Sequence, residues 1–146
     1  MPPYTLRRAI ADDGAFLYRV SEVNFRGLVE GQGKKWATAR MQEKCAQDAG
    51  SPSTSIIQIA GEDAGFVKVE VAAVAVLVDA LLLLPEHQRR GVGTHVLRSI
   101  LAQAAAASLP VQLSVYTANP ARAFWEKHGF KVKGEVNQHL QMERET

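Results

Sequence analysis

The spacing of apolar positions changes several times along the chain, and each change predicts a different element. Residues 4–7 alternate between apolar and polar side chains, which indicates a short strand. A helix is predicted behind the N-capping residues Asp12 and Asp13, and a second helix runs from about residue 34 to Gly50. Residues 24–36, which contain three glycines, are predicted to form the loop between them. The apolar stripes are Phe16, Leu17, Val20 and Val23 on the first helix and Ala37, Met41 and Cys45 on the second.

The middle of the chain switches to the shorter period of strands. Residues 56–59, 66–71 and 74–84 predict three strands in a row, and the lack of helices between them indicates an antiparallel meander. The last of the three is nearly all apolar, as expected for a strand that is buried on both faces. Asp79 interrupts this strand, so its side chain has either a partner or a chemical role.

The second half of the chain alternates strands with helices. A helix, a strand, a helix and two closing strands are predicted at residues 94–107, 111–115, 120–128, 130–132 and 139–142. A strand, a helix and a parallel strand in this order form a right-handed crossover unit. The pattern therefore predicts a mixed α/β domain around one twisted sheet, spanning residues 1–146 as a single domain.

The amino-acid composition and charge argue against several classes of protein. A chain of 146 residues with 47% hydrophobic and 22% charged residues is typical of one globular domain. The net charge of +2 gives no support for a nucleic-acid partner. The most apolar stretch, residues 71–84, is shorter than the roughly 20 residues of a membrane span, so no membrane association is expected. Cys45 is the one cysteine, which favours a reducing, cytoplasmic location.

The segment between the long apolar strand and the helix that follows it carries the most specific chemistry. Gly91 and Gly93 allow the backbone to turn sharply and to approach a ligand closely. The first amides of the following helix have no carbonyl partner, and the helix dipole adds roughly half a positive charge, so an anion is well placed there. A Walker P-loop is excluded because no lysine follows Gly93, and a dinucleotide fingerprint is excluded because Val96 stands where it needs a third glycine.

Two segments together resemble the GCN5-related N-acetyltransferase (GNAT) family. Gln88, Gly91 and Gly93 match the family pattern of Gln or Arg, two residues, Gly, one residue, and Gly or Ala. Residues 119–130 are similar to the second signature, an asparagine-containing helix that ends in Gly-Phe. The resemblance extends over about residues 4–144. It implies the GNAT acyl-CoA N-acyltransferase fold, a mixed α/β sheet that splays between its fourth and fifth strands.

The resemblance also implies acetyl-CoA as co-substrate and transfer of its acetyl group to a primary amine. In the family, the amides of the glycine-rich turn bind the pyrophosphate, and the preceding strand pairs with the pantetheine arm. Asn119 resembles the asparagine that meets this arm, although it also suits the N-cap of the last helix. The implied cofactor-binding residues are Leu81, Leu82, Leu83, Gln88, Arg89, Arg90, Gly91, Val92, Gly93, Thr94, Asn119 and Trp125.

The catalytic positions depart from the family pattern. The family usually has a tyrosine at position 125, whose hydroxyl can protonate the departing thiolate, whereas the indole of Trp125 is no proton source near neutral pH. Three routes stay open: Tyr116 supplies the phenol, the thiolate leaves unprotonated, or the protein binds acetyl-CoA without rapid turnover. Related proteins often carry an acid at position 82, which is leucine here. The candidate bases that remain are Asp79, Glu70 and Glu22.

Two functions of different classes therefore follow from the sequence. The leading one is an N-acetyltransferase in which the amine attacks directly within a ternary complex. The alternative is a non-catalytic acetyl-CoA-binding sensor or interaction module, favoured by the two missing catalytic residues. A small amine or a peptide would enter beside residues 24–36, and its identity stays open, as does the oligomeric state, with a homodimer as one alternative. No metal is predicted, because the histidines lack ligand spacing.

Overall fold

A computed structural model describes residues 3–145, so residues 1–2 and 146 of the predicted domain lie outside the described part. Its order of strands and helices is the predicted one. The elements are β1 (Thr5–Arg8), α1 (Gly14–Gly31), α2 (Thr38–Ala49), β2 (Thr54–Ile59), β3 (Glu62–Val71), β4 (Val76–Leu83), α3 (Val92–Ala106), β5 (Val111–Tyr116), α4 (Arg122–Lys127), β6 (Lys131–Val136) and β7 (His139–Arg144).

The strands form a seven-stranded sheet in the order β1-β2-β3-β4-β5-β7-β6. β4 and β5 run parallel, while β1–β2, β2–β3, β5–β7 and β6–β7 are antiparallel pairs. The parallel ladder joins Val76 to Val111 and Leu77 to Gln112 and then stops, although both strands continue. The predicted mixed α/β sheet is confirmed, and its one parallel pair is hydrogen-bonded only where the two strands begin.

The described chain divides into two compact units. The first comprises residues up to 68 together with 80–96, and the second comprises residues 69–79 together with those from 97 onward. In the first unit, one side of α1 and of α2 is buried in a cluster with β2, β3 and the residue after β4. Burial of each large aliphatic side chain contributes about 1.5–3 kcal/mol. The cluster comprises Ala9, Leu17, Val20, Cys45, Ala49, Ile56, Phe66 and Leu84.

The core of the second unit is formed by alternate residues of its strands. Val111, Leu113 and Val115 of β5 are buried, as are Leu140 and Met142 of β7, whereas the residues between them are partly or fully exposed. Period-two alternation of this kind places apolar side chains on one face of the sheet and polar side chains on the other. The second unit therefore presents a polar sheet face.

The first helix is longer than the sequence pattern predicts. α1 continues through Gly27, so the connection to α2 is residues 32–37, and the predicted loop over residues 24–36 is wrong at its N-terminal end. A glycine inside a helix costs only about 1 kcal/mol relative to alanine. Arg26 partly offsets this cost because it pairs with the carboxylates one turn before and one turn after it, at 2.9 and 3.4 Å.

β4 is not buried on both faces, contrary to the prediction from its apolar sequence. Val76, Val78 and Leu83 are buried, whereas Asp79 is exposed and the remaining positions are half-buried. The strand is also shorter than predicted, since Val74 lies in the preceding turn and is 77% exposed. Its face is therefore partly open to ligands.

Asp13 occupies the N-cap of α1 as predicted, but its carboxylate does not cap the helix. Both of its oxygens accept hydrogen bonds from Arg7, at 2.8 and 2.9 Å, and one also accepts the amide of Ile10 at 2.8 Å. Arg7 extends to Asp63 of β3 at 3.0 Å. The Arg7 hydrogen bonds hold the pKa of Asp13 below its ordinary value despite burial, which by itself would raise it. This ion pair fastens β1 to the start of α1.

The last helix begins two residues later than predicted, at Arg122 rather than Pro120. Asn119 still contributes a local hydrogen bond, since its Oδ1 accepts the amide of Ala121 at 2.9 Å and closes the turn before α4.

Across residues 3–145, none of the helices combines the length and the apolar character needed to cross a bilayer.

Candidate functional site

The turn between β4 and α3 presents backbone amides at the protein surface. After a single 3-10 turn at Pro85–His87, Arg89 and Gly91 adopt positive φ angles of 63° and 82°. The carbonyl of Gly91 accepts the first helical hydrogen bond, from the amide of His95 at 3.0 Å. The amides of residues 92–94 therefore form the first turn of α3, and within residues 3–145 they have no backbone acceptor.

The same turn leaves room for an anion. Residues 88–91 are exposed, and a Cβ built on Gly93 would have no atom within 4 Å. Unpaired amides, the positive end of the helix dipole and the exposed guanidinium groups of Arg89 and Arg90 all favour negative charge here. The amides without acceptors, the positive end of the helix dipole and the free space at Gly93 together suit the binding of a diphosphate.

Gln88 supports the turn through its side chain, whereas the residues that follow it offer backbone amides. Its backbone amide is occupied by the carbonyl of Pro85 at 3.2 Å. Its side-chain amide donates to the carbonyl of Leu83 at 2.9 Å and to Oδ1 of Asn24 at 3.1 Å. Gln88 therefore connects the turn to the end of β4 and to α1, and the amides that can face a ligand belong to the residues after it.

Asn24 contacts the end of β4 and the side chain of Gln88, and the sequence analysis does not identify it as part of the candidate site. Its Nδ2 donates to the carbonyl of Leu83 at 3.1 Å and to that of Val20 in its own helix at 2.9 Å. The sequence pattern predicts a loop at this position because three glycines follow within residues 24–36. Its spacing of three and four residues from the buried Ser21 and Val20 was the available signal, because those positions share one face of a helix.

Leu81, Leu82 and Leu83, predicted to pair with the pantetheine arm, form the end of β4, with Leu83 buried and the other two half-buried. β3 passes unusually close beneath them. A Cβ on Gly65 would lie 2.1 Å from the carbonyl oxygen of Leu82 and 2.9 Å from Cα of Leu83. Leu84 donates to the carbonyl of Ala64 at 2.8 Å. The backbone that would carry the arm is therefore closely packed against β3, and only glycine fits at position 65.

Trp125 lies in the second unit and packs as a core residue. It is only 9% exposed, and the rings of Phe124 and Phe130 lie edge-on to it at centroid distances of 5.0 and 5.5 Å. Core packing accounts for a tryptophan at this position. Its predicted contact with the cofactor stays a prediction.

Tyr116, the candidate acid, ends β5 and is half-buried. His139 lies opposite it on β7, with ring centroids 5.1 Å apart.

The candidate bases lie on different elements. Glu70 is half-buried on β3, and Asp79 is exposed on β4. Glu22 accepts hydrogen bonds from Tyr18 at 3.0 Å and from Arg26 at 2.9 Å. Glu22 is therefore already engaged by two neighbours on its own helix.

A cavity of about 420 Å³ lies on the polar face of the second unit. It is bounded by residues 77–79 of β4, by residues 112–114 of β5, and by Lys133 and residues 141–143 on the β6 and β7 side. Within residues 3–145, no three His, Cys, Asp or Glu side chains are grouped so that they could hold a metal ion.

Comparison with known proteins identifies the family of the chain. The model of the GNAT acetyltransferase domain matches residues 52–132, more than half of the chain. The chain therefore belongs to the GNAT acetyltransferase family, which confirms the family predicted from Gln88, Gly91 and Gly93. No curated protein matches it significantly.

Solved structures agree on the fold. The PaiA N-acetyltransferase of Thermoplasma acidophilum, solved with coenzyme A, is 17% identical over 99% of both chains, with a TM-score of 0.75. An acetyltransferase of Thermus thermophilus is 20% identical over 96% of this chain and 94% of its own, with a TM-score of 0.73. The apo form of YjaB from Escherichia coli is 18% identical over 97% of both chains, with a TM-score of 0.74.

Proposed function

We propose that the protein is an acetyl-CoA-dependent N-acetyltransferase that acts on a primary amine by direct attack in a ternary complex. The observation that carries this proposal is the start of α3, where the amides of residues 92–94 have no backbone acceptor within residues 3–145 and a Cβ added to Gly93 would meet no atom within 4 Å. The PaiA N-acetyltransferase, which has a similar fold, was solved with coenzyme A, and this supports the proposed co-substrate. The buried lone cysteine, Cys45, is compatible with the cytoplasmic location that we propose.

The proposed binding roles are those implied by the family resemblance, and contacts within the first unit support them. The amides after Gln88 bind the diphosphate, and Arg89 and Arg90 add charge from solvent. The backbone of residues 81–83 pairs with the pantetheine arm as an added strand. Gln88 and Asn24 position both segments, because their side chains meet at the carbonyl of Leu83.

The transfer itself requires little of the protein beyond alignment. The ammonium group loses a proton to the base, the neutral nitrogen attacks the thioester carbonyl, and the carbon–sulfur bond breaks to release the coenzyme thiolate. The nitrogen gives up its second proton to water or to the thiolate as the amide forms. A thiol with a pKa of about 8.5 is a fair leaving group, so no dedicated acid is needed. A backbone amide of β4 stabilises the developing oxyanion. Asp79 and Glu70 are the proposed bases, and Tyr116 is the proposed acid if one is used.

A panel of amines tests the proposal. Purified protein is titrated with acetyl-CoA by calorimetry, and release of coenzyme thiol is then followed with each amine. We expect saturable binding and amine-dependent thiol release. Binding without release by any amine would instead favour a non-catalytic acetyl-CoA sensor. That second candidate is supported by Trp125, whose indole is packed between Phe124 and Phe130, and by the leucine at position 82.

The leaving group is tested at Tyr116. Because a thiolate can leave without a proton donor, Tyr116→Phe is expected to keep kcat within about twofold of wild type. A loss of more than tenfold in kcat, with unchanged thermal stability, would assign the acid to this phenol.

A further inference from the structure

The first turn of α3, which carries the amides proposed to bind the diphosphate, is flexible by composition. Gly91 and Gly93 stand on either side of Val92, and glycine loses more conformational freedom on ordering than any other residue. Helices also fray at their ends, where the backbone lacks part of its hydrogen bonds. A ligand site built from these amides therefore needs contacts that hold the turn in place.

Val92 and His95 hold this turn in different ways. Val92 is buried, with 1% of its surface exposed. Three residues later, Nδ1 of His95 lies 2.7 Å from the hydroxyl of Tyr4, and the two rings meet edge-on with centroids 5.3 Å apart. The amide of His95 donates to the carbonyl of Gly91, so the contact with Tyr4 is made by the residue that closes the first helical hydrogen bond.

Tyr4 is itself attached to an ordered part of the first unit. It directly precedes β1, whose four residues all pair with β2. Arg7 of this strand donates to Asp13 and to Asp63, at 2.8–3.0 Å. Tyr4 can therefore act as a fixed point against which the first turn of α3 is held.

The hydrogen bond between Tyr4 and His95 suits a lasting link. Burial raises the pKa of Tyr4 above its ordinary value, so the hydroxyl keeps its proton and can donate. A neutral imidazole with its proton on Nε2 accepts this bond at Nδ1. Within residues 3–145 neither side chain makes another hydrogen bond, so the link depends on this one pair of atoms.

We propose that Tyr4 is a positioning residue for the coenzyme: through His95 it holds the first turn of α3, so that the amides of residues 92–94 stay aligned for the diphosphate. The proposal rests on the proposed acetyl-CoA site. Donors that are already ordered bind more tightly, because the ligand does not have to order them. Loss of the Tyr4 hydroxyl should therefore weaken the binding of acetyl-CoA and leave the transfer step unchanged.

Removal of this one hydroxyl tests the proposal. Tyr4→Phe keeps the ring, and we expect it to bind acetyl-CoA about fivefold more weakly in calorimetry, with kcat within about twofold of wild type. His95→Leu should have the same effect, and the double variant should bind no more weakly than either single variant, because both changes remove the same hydrogen bond.

Two further variants serve as controls. His95→Asn should bind acetyl-CoA within about twofold of wild type, because its Oδ1 can accept the hydrogen bond in place of Nδ1. Tyr18→Phe also removes a hydroxyl from the first unit, one that donates to Glu22 within α1, and it should leave the affinity unchanged.

Amide hydrogen exchange separates positioning from general stabilisation. The amides of residues 95–97 bond to the carbonyls of residues 91–93, so their exchange reports opening of the first turn. In Tyr4→Phe without ligand, these amides should exchange about fivefold faster than in wild type, whereas those of residues 102–105 in the same helix should be unchanged.

The outcomes separate this proposal from the proposed function. Wild-type affinity in Tyr4→Phe, or additive effects of the two substitutions, would overturn the positioning role while the transferase assignment stands. Equally faster exchange along the whole of α3 would also overturn it. If wild type binds no acetyl-CoA, the proposed function fails and inorganic diphosphate becomes the probe. Weaker diphosphate binding by Tyr4→Phe than by wild type would support the role, and no binding to wild type would overturn it.

Discussion

The turn at residues 88–94 and the polar face of β5 and β7 are built in different ways. The turn offers backbone amides, and its critical residue, Gly93, contributes by having no side chain. The polar face offers side chains, which are held by cross-strand hydrogen bonds such as Gln112 to Glu143. A backbone-built region is disrupted by adding atoms, whereas a side-chain-built region is disrupted by removing them. Substitutions that add atoms should therefore impair the turn, and substitutions that remove atoms should impair the polar face.

The largest effect is expected where an added atom meets backbone. Gly65→Ala places a Cβ against the carbonyl of Leu82, and neither strand can withdraw without breaking its ladder. We expect a loss of about 2–4 kcal/mol in the free energy of unfolding, measured by urea denaturation. Gly134→Ala is the control, because its Cβ would meet no atom within 4 Å. Equal stability of the two variants would show that β4 is not held as closely as described.

Acid pH is expected to weaken the Arg7–Asp13 ion pair, which belongs to neither of these two regions. The pKa of Asp13 is lowered by its Arg7 hydrogen bonds, so its contribution is present above the ordinary carboxyl pKa of about 3.9 and is lost as pH falls through the folded value. Asp13→Asn should cost about 2 kcal/mol at neutral pH, and progressively less as the pH is lowered below 4. Unfolding curves between pH 7 and pH 2 measure this. Asp12→Asn, the exposed neighbour, is the control, and a cost for Asp13→Asn that is independent of pH would contradict the account.

Side chains that support the backbone-built turn should have an intermediate effect. Removal of Asn24 or Gln88 leaves the Leu83 carbonyl with one donor fewer, so each alanine variant is expected to lose about 1 kcal/mol of stability and to bind acetyl-CoA about tenfold more weakly. The double variant should lose less than the sum, because the two side chains also contact each other. Gln42→Ala, an exposed change on α2, serves as control. Strict additivity would show that the two residues act independently.

The smallest effect on stability is expected in the side-chain-built region. Ser114 is exposed, and its hydroxyl donates to Gln141 at 2.8 Å at the surface of the sheet. Ser114→Ala should change the free energy of unfolding by no more than about 0.5 kcal/mol. A loss above about 2 kcal/mol in thermal or urea unfolding would contradict this expectation.

The same contrast explains how much could be read from the sequence. The turn uses consecutive residues, so its glycine spacing and its place between a strand and a helix could be recognised without a structure. The cavity combines Asp79, Gln112 and Glu143, which are far apart in the chain and meet only through the strand register. Asn24 was missed because tertiary contacts outweigh the low helix propensity of the glycines after it. The apolar composition of β4 indicates burial on both faces. Composition does not show where the hydrogen bonds to β5 end, so the partly exposed face of β4 could not be predicted.

The central claim is that the amides after Gly91 bind the diphosphate of acetyl-CoA. Calorimetric titration of Gly93→Val with acetyl-CoA tests it most directly, because the added side chain enters space that holds no protein atom. Gly27→Val, an open glycine position in α1, is the matched control. We predict that Gly93→Val folds normally and binds at least a hundredfold more weakly than wild type, about 2.7 kcal/mol, while Gly27→Val binds normally. Wild-type affinity in Gly93→Val would contradict the assignment of this turn.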